Sequence, residues 1–264
     1  MTNTSDISPS KSARLARRAS LAGLVGTVAV MAGCATVANP TPGDPWESYN
    51  RGMFAFNDAF DKALLKPIAS GYEQIVPQPA RSCVNNIFGN LADAWSAVNS
   101  FFQGRGHDFF NSLGRVLFNS TVGLGGCIDV ASMHGAERIN NDFGTTLGVW
   151  GVGTGPYFVL PFIGPSTVRD TTAFVGTLAA DVSPFTPVMS IDNVALRNSL
   201  IGLFVVDTRA SLLTTDKLVE DVALDRYSFI RDAYLQRRQA LVNGRSNSAA
   251  AERDADVLPD YTDF

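Results

Sequence analysis

The sequence predicts an all-α protein whose helices form a single domain around an irregular central segment. Apolar side chains recur every three or four residues in several stretches, which is the spacing of amphipathic helices, and no stretch keeps the alternation of a strand. The central segment runs from Phe143 to Val168 without a charged residue and contains six glycines and three prolines. Its length and apolarity would suit a membrane span, but the prolines interrupt a helix and leave backbone groups unpaired. Within a membrane such groups must be hydrogen-bonded by protein or water, so this segment cannot be a single helix that faces lipid. We expect the rest of the chain to wrap it, or the segment to line a cavity that the chain encloses.

Residues 1–33 have the pattern of a bacterial export signal. Basic residues come first, and an uncharged stretch of small and apolar residues follows from Ala19 to Gly33, which is too short for a comfortable membrane span. The pair Arg17-Arg18 leaves a twin-arginine route open. A serine stands where that signal has a large apolar residue, however, so the general secretion route is favoured.

The cysteine after this signal predicts a lipid anchor. Gly33-Cys34 resembles a lipobox, in which the cysteine is acylated and becomes the mature N-terminus. No cofactor is expected apart from this covalent lipid on Cys34, and an ordinary signal with an incidental cysteine is the alternative. Residue 35 is alanine instead of the aspartate that retains lipoproteins at the inner membrane. The expected destination is therefore the outer membrane of a Gram-negative bacterium.

The charge of the mature chain argues against nucleic acid as a partner. The full sequence has 21 basic and 25 acidic side chains, and the signal takes away four basic and one acidic, which leaves 17 and 24. The resulting net charge of −7 has the wrong sign for binding phosphate backbones, which needs clustered lysine and arginine. The 231 residues that remain are enough for one large domain with a substantial core.

The first part of the mature chain predicts a tether and a helix. Residues 34–43 contain two prolines and little that could pack, so they connect the lipid to the domain. Asp44 and Pro45 then predict a helix start with Asp44 as the N-cap, and an apolar stripe follows at helical spacing. We expect Lys66-Pro67 to end this helix and a short piece to follow.

Further helices are predicted along the domain, which we expect to span residues 44–243. The predicted segments are Ala80–Gln103, His107–Asn119, Thr167–Ala180 with Ser166 as its cap, Met189–Val206 and Leu218–Asn243. The first of them carries almost no charge, which favours a surround of protein, lipid or headgroups. Residues 244–264 are rich in small and acidic side chains and are expected to form a flexible tail.

The sequence lacks the motifs of catalysis and of metal binding. Neither His107 nor His134 has histidine or cysteine at zinc-ligand spacing, and no G-x-S-x-G sequence provides a nucleophile. The glycine clusters lack the spacing of dinucleotide loops, and no lysine lies in a Walker A context. We therefore predict a protein that is not an enzyme and has no metal site.

A series of short motifs resembles the VacJ/MlaA lipoprotein family and covers roughly residues 44–243. In chain order the motifs are Asp44-Pro45-Trp46-Glu47, Asn50-Arg51, Phe54-x-Phe56-Asn57 with Asp61, Pro77-Gln78-Pro79-Ala80-Arg81, Asn119-Ser120-Thr121-Val122-Gly123, Asp142-Phe143-Gly144, Gly155-Pro156-Tyr157, Leu160-Pro161 and Gly164-Pro165-Ser166-x-x-Arg169-Asp170. The sequence departs from the family's pattern at Gly52, Cys83 and Cys127.

The resemblance implies a mostly helical, ring-like domain in the periplasmic leaflet of the outer membrane. In the family, a central amphipathic channel lets mislocalised phospholipids leave the outer leaflet and pass to a soluble periplasmic carrier of the Mla pathway, which maintains lipid asymmetry. Trimeric porins hold the ring in place. The expected partners are therefore phospholipids, the outer membrane, a trimeric porin and that carrier. The family has no known catalytic residues.

Two groups of residues are candidates for the channel or for contact with headgroups. The first group lies on the predicted first helix and comprises Asn50, Arg51, Asn57 and Asp61. These polar side chains could equally tie the helix to its neighbours. The second group comprises Gly148, Gly151, Gly153 and Gly155. Glycine permits close backbone approach or positive φ, so a structural role is expected there whether or not the segment is also a gate.

The remaining signature residues are expected to be structural. They are Asp44, Pro45, Pro156, Pro161, Pro165, Arg169 and Asp170. Cys83 and Cys127 are the two thiols that remain in an oxidising compartment once Cys34 is acylated, so they predict a disulfide. Two small buried apolar residues would give the same sequence, and the alternative stays open.

Two other classes of function compete with transport. One is a lipid-anchored envelope scaffold without transport activity, and the other is a lipid hydrolase, which the missing nucleophile and base disfavour. A cavity through the domain would favour transport, whereas a solid bundle would favour the scaffold.

The lipid anchor gives the first testable prediction. Cys34→Ser removes the thiol that would carry the acyl chains, so the variant should accumulate as an unprocessed and mislocalised precursor. Intact-mass measurement of the membrane-extracted protein checks this. A wild-type chain that begins at another residue and carries no lipid mass would contradict the prediction.

Overall fold

The computed structural model describes residue 41 and residues 43–244. The predicted signal, Cys34, most of the predicted tether and residues 245–264 of the predicted tail lie outside the described residues. Helices dominate the described part, which confirms the all-α, single-domain prediction. The helices in chain order are α1 Glu47–Phe60, α2 Lys66–Ile75, α3 Gln78–Phe102, α4 Gly106–Thr121, α5 Val130–Met133, α6 Phe143–Val149, α7 Val168–Ala179, α8 Thr186–Met189, α9 Val194–Ser211, α10 Leu213–Val222 and α11 Arg226–Val242.

The start of α1 differs from the prediction. Trp46 occupies the N-cap position without a side-chain bond, and Asp44 is not the cap. Asp44 is instead completely buried, where its carboxylate accepts hydrogen bonds from Asn50 Nδ2 at 2.7 Å and from the hydroxyl of Tyr227. Tertiary partners therefore use the oxygens that a local cap would have used.

The predicted end of α1 is also wrong. The chain continues from α1 through a π-helical turn, Asp61–Leu65, directly into α2, so Lys66-Pro67 does not stop the helical path. Pro67 lies in the first turn of α2, directly after the π-helical turn, so the continuous helical path has no N–H donor at this residue.

Helices α3 and α4 form an antiparallel hairpin around a buried charge cluster. Arg115 of α4 is fully buried, and its guanidinium contacts Asp93 of α3 at 3.0 Å and Asp129 at 2.9 Å. Arg115 Nη1 also donates to Ser132 Oγ and to the carbonyl of Ala136. A buried charge is tolerated only when it is paired and hydrogen-bonded, so this network fixes the hairpin and the segment that follows it.

The central segment contains a small β-hairpin that the sequence did not predict. Strand β1, Tyr157–Leu160, pairs antiparallel with β2, Gly164–Thr167, in the register Tyr157↔Thr167 to Leu160↔Gly164. Tyr157 and Val159 point into the core while their neighbours are half-buried. Strands of four residues are too short for such alternation to stand out in a sequence.

Three later boundaries differ from the predicted ones. Ser166 lies in β2, and the cap of α7 is the next residue, Thr167, whose hydroxyl accepts from the N–H of Asp170 at 3.2 Å. The helix predicted over 189–206 begins later, since residue 189 ends the short α8 and the long helix is α9, which Asn193 caps. The last predicted helix is two helices, since Asp225 starts α11 as a new N-cap.

The described residues include no helix that is both long and apolar enough to cross a bilayer. Many large apolar side chains on the α3–α4 hairpin and in the loop after it are nevertheless exposed. Examples are Phe101, Phe102, Phe110, Leu117, Phe118, Val122 and Leu124. Phe101, Phe102 and Phe110 belong to one run of contacting rings with Phe109, and an exposed apolar cluster of this kind indicates contact with a partner or with lipid.

The two remaining cysteines meet in the structure. Cys83, near the start of α3, and Cys127, in the loop after α4, form a disulfide with their Cα atoms 4.1 Å apart. Asn86 Nδ2 donates to the carbonyl of Cys127 at 3.0 Å beside this bond. The disulfide therefore joins the open end of the α3–α4 hairpin.

The disulfide gives a prediction on stability. Replacing both residues by serine should lower the free energy of unfolding by about 2–4 kcal/mol, because the bond closes a loop between residues 44 apart in the unfolded chain. Urea unfolding of the full chain in detergent, with and without reductant, measures this difference. The double variant is the control, since reductant should leave it unchanged, and a wild-type chain insensitive to reductant would contradict the prediction.

Candidate functional site

A cavity of about 330 Å³ opens beside the central segment. Its wall is mostly apolar and aromatic, with contributions from α3, α6, the β-hairpin, α7 and the loop before α8: Trp95, Phe143, Leu160, Ile163, Phe174 and Phe185. Its polar side is made by Asp142, Asp170, Tyr234 and Arg238. An apolar wall with a few converging polar groups is the usual composition of a ligand site.

Local sequence explains how the polar groups converge. Asp142 is the N-cap of α6, where its carboxylate accepts from the N–H of Thr145 at 2.8 Å and the Thr145 side chain bonds back in a capping box. Asp170 lies in the first turn of α7. Tyr234 and Arg238 are four residues apart on α11, so they share one face of that helix.

Arg238 holds this polar side together. Its Nη1 and Nη2 donate to the two carboxylate oxygens of Asp142 at 2.6 and 2.9 Å, and its Nε lies 2.9 Å from Asp170 Oδ2. Tyr234 donates its hydroxyl to the same oxygen of Asp170 at 2.8 Å, and Arg169 Nε donates to Asp170 Oδ1 at 3.0 Å. We call these five side chains the Arg238 cluster.

Asp170 and Arg238 are both charged at neutral pH. Burial favours the neutral form of Asp170, but the charge of Arg238, its hydrogen bond and that of Tyr234 outweigh it, so the pKa of Asp170 lies below its usual value. Burial likewise opposes the charge of Arg238, while Asp142 and Asp170 raise its pKa above the usual value. The pKa of Tyr234 is raised by burial and by Asp170, which keeps its hydroxyl a donor.

Two asparagines predicted as candidate headgroup contacts bind the outer edge of the β-hairpin. Asn50 donates to the carbonyl of Tyr157 at 3.1 Å and accepts from the N–H of Val159 at 2.9 Å. Asn57 donates to the carbonyl of Leu160 at 2.9 Å and accepts from the N–H of Phe162 at 2.8 Å. Two helical turns separate them, so α1 satisfies the strand edge as a third strand would.

The two charged candidates of the same group also contact the chain itself. Arg51 pairs with Glu47 and Asp225, each at 2.8 Å, and so joins α1 to the start of α11. Asp61 pairs with Arg209 of α9 at 2.5 Å. None of the four residues lines the cavity of the Arg238 cluster.

The candidate glycines lie around the loop between α6 and β1, outside the cavity wall. Gly151 and Gly155 have φ of +94° and +68°, which side chains rarely adopt. A β-carbon at Gly148 would come within 2.7 Å of Arg169 Nη1, whereas one at Gly153 would meet nothing within 4 Å. Positions 148, 151 and 155 therefore favour glycine, whereas Gly153 has space for a side chain.

The signature prolines frame the β-hairpin. Pro156 precedes β1, and its carbonyl accepts from the N–H of Val168 at 3.1 Å. Pro161 follows β1 at the turn, and Pro165 stands opposite Val159 in β2. Arg169 and Asp170 are both buried at the start of α7, so the end of the central segment is anchored in the Arg238 cluster.

Comparison with known proteins identifies the family. A sequence model described as MlaA lipoprotein matches residues 42–241. The chain belongs to the MlaA lipoprotein family. The Intermembrane phospholipid transport system lipoprotein MlaA of Escherichia coli (strain K12) is 36% identical over 236 residues, which cover 87% of this chain and 91% of that protein. The protein of the same description from Haemophilus influenzae is 35% identical over 220 residues, which cover 81% and 86%.

A solved member of the family has the same fold. A chain from the work "Structural basis for maintenance of bacterial outer membrane lipid asymmetry" superposes with a TM-score of 0.63 and is 35% identical. The match covers 75% of this chain and 98% of the other. The sequence prediction of the family is thereby confirmed.

Sequence reasoning missed Arg238 and Tyr234 as site residues. Arg238 stands in an ordinarily charged helix, where nothing distinguishes it from its neighbour Arg237. The available signal was weak: a tyrosine and an arginine four residues apart form one polar pair on a helix that carries several other arginines. Their partners Asp142 and Asp170 were visible as members of the family motifs, but nothing in the sequence pairs them with α11.

The Arg238 cluster gives a prediction on stability. Arg238→Gln leaves Asp170 buried without its main counter-charge, so the free energy of unfolding should fall by about 3 kcal/mol. Arg237→Gln is the matched control, since Arg237 is exposed on the same helix and should change stability by less than about 0.5 kcal/mol. Chemical denaturation of both variants measures the two losses in the free energy of unfolding. Equal losses in the two variants would contradict the role given to Arg238.

Proposed function

We propose that this protein is the outer-membrane lipoprotein of an intermembrane phospholipid transport system. In this role it removes mislocalised phospholipids from the outer leaflet and passes them to a periplasmic carrier, which maintains lipid asymmetry. The proposal is supported by membership of the MlaA lipoprotein family and by relatives named for phospholipid transport. The solved relative comes from work on outer-membrane lipid asymmetry.

The observation that carries the proposal is the amphipathic cavity. One side presents charged groups and a phenol, and the other presents aromatic and aliphatic side chains. A phospholipid has the same division between headgroup and acyl chains. At about 330 Å³ the cavity lies at the lower end of the range for ligand pockets, so it would hold a headgroup or a length of acyl chain at one time.

The surface supports a position in one leaflet of the membrane. The exposed apolar side chains of α3 and α4 would be solvated by acyl chains, and the acylated Cys34 would add a second attachment. We place the protein on the periplasmic side of the outer membrane, with a trimeric porin and a periplasmic phospholipid carrier as its protein partners. These two partners follow from the family resemblance.

The chemistry of the site favours transport over catalysis. Ser166, which lines the cavity, bonds Thr171 Oγ1 at 2.8 Å and has no histidine beside it. His107 is 91% exposed and pairs weakly with Asp108, and neither described histidine lines the cavity. We therefore propose a non-enzymatic role. A scaffold without transport remains the second candidate, and the amphipathic lining of the cavity is what argues against it.

Filling the cavity tests the transport function. Ala173 is buried in α7 and lines the cavity, so Ala173→Phe should place a ring in the lipid path and raise outer-leaflet phospholipid toward the level of a deletion strain. Overpacking of a core lowers the free energy of unfolding by about 1–3 kcal/mol. Protein level and protease resistance are therefore measured together with outer-leaflet phospholipid. Gly153→Trp is the control, because its bulkier side chain lies outside the cavity wall and should leave transport unchanged. A deletion strain with normal outer-leaflet composition and normal detergent resistance would favour the scaffold.

A further inference from the structure

The charges of the Arg238 cluster cancel. The Arg238 cluster contains two carboxylates, Asp142 and Asp170, and two guanidinium groups, Arg169 and Arg238, which give a formal charge of zero. Three of these four groups, Asp142, Asp170 and Arg238, line the cavity, whereas Arg169 does not, and the Tyr234 phenol is the one further ionisable group among the described lining residues. The response of the site to a charged ligand therefore depends on which of these three groups the ligand can reach.

Exposure separates the two signs of charge. The side chain of Asp142 is 45% exposed, whereas those of Arg238 and Arg169 are only 11% and 3% exposed. All three nitrogens of the Arg238 guanidinium already lie against carboxylate oxygens. The carboxylate of Asp142 is thus the one charged group that the cavity presents to a ligand with substantial exposure.

We propose that the cavity prefers phospholipids whose headgroup carries an ammonium group over phospholipids with a net negative headgroup, and that Asp142 sets this preference. The inference rests on the proposed function, since it names the class of lipid that the same site takes.

The energetics of each headgroup support this preference. An ammonium group can donate to Asp142 without disturbing Arg238, because a carboxylate has more lone pairs than its present partners use. An anionic headgroup would approach the exposed carboxylate with the same sign of charge. To reach Arg238 it would have to displace a carboxylate from a mostly buried ion pair, which is costly. The phosphate diester common to both lipids can accept from the neutral hydroxyls of Ser166 and Ser183, which do not discriminate between headgroups.

One substitution removes the charge and preserves the fold. Asn and Asp are equally good N-caps, so Asp142→Asn keeps an acceptor for the N–H of Thr145. The variant removes the exposed negative charge and takes one counter-charge from Arg238. Both effects should strengthen the binding of anionic lipids relative to that of lipids with an ammonium group. Asp192→Asn is the matched control, because Asp192 is exposed in the loop before α9 and does not line the cavity.

Competition between two lipids measures the preference. The full lipidated chain is incubated in detergent micelles with equal amounts of phosphatidylethanolamine and phosphatidylglycerol of identical acyl chains, then purified, and the bound lipids are quantified by mass spectrometry. The wild type should retain phosphatidylethanolamine with about fivefold enrichment, the size expected for one partly exposed ion pair. Asp142→Asn should bring the ratio close to one, Asp192→Asn should leave it at the wild-type value, and added salt should lower it in the wild type by screening.

Different results would contradict the headgroup preference and the proposed transport function. Equal retention of the two lipids by the wild type, enrichment of phosphatidylglycerol, or an unchanged ratio in Asp142→Asn would overturn the preference while leaving lipid binding intact. Retention of neither lipid by a folded wild-type chain would overturn the proposed function, and the preference with it. Thermal unfolding of each variant confirms that the compared chains are equally folded.

Discussion

The ion pairs of Arg238 are the contacts on which the arrangement around the cavity depends. The Arg238 guanidinium on α11 contacts Asp142 at the N-cap of α6 and Asp170 in the first turn of α7. Three helices from distant parts of the chain therefore meet at one side chain. A carboxylate in the first turn of a helix is also stabilised by the helix dipole, which favours the charged form of Asp170. Because the same side chains form the polar side of the cavity, the stability of the fold and the chemistry of the site rest on the same interaction.

The β-hairpin is held in a related way, by side chains that stand in for backbone. Asn50 and Asn57 each accept from one N–H and donate to one carbonyl on the free edge of β1 and its turn. An unpaired strand edge is a liability, and a helix carrying two amides covers it without adding a strand. Aromatic contacts follow the same seam, since Phe56 and Phe60 pack edge-on against Phe162. Helix α1 therefore presents the hairpin, with Leu160 and Ile163, to the cavity.

The interior of this protein is unusually polar, and the distribution of apolar side chains explains why. Few large apolar residues are buried, and the described clusters are small, such as the one around Tyr157, Val159 and Tyr227. Many phenylalanines, leucines and valines instead face outward. A surface solvated by acyl chains needs no charged face, and helices that place apolar groups outward must join through polar contacts inside. The Asp93–Arg115 pair and the Arg238 cluster are those contacts, and each must be fully paired because a lone buried charge is costly.

The sequence by itself determined the class of protein: helical periodicity gave the all-α fold, ordered motifs gave the family, and an uncharged glycine–proline run marked the segment that the chain surrounds. These features are local, since spacing, turn residues and capping side chains act over a few positions. The tertiary structure alone decided which charges pair, that Asp44 bonds Tyr227 instead of capping a helix, and that Tyr157–Leu160 forms a strand. It also decided that Asn50 and Asn57 bind a strand edge and that Arg238, not its neighbour Arg237, reaches the cavity. The physical reason is that a polar side chain can form several alternative hydrogen bonds of similar free energy. Which of them forms depends on which partner the tertiary packing brings within bonding distance.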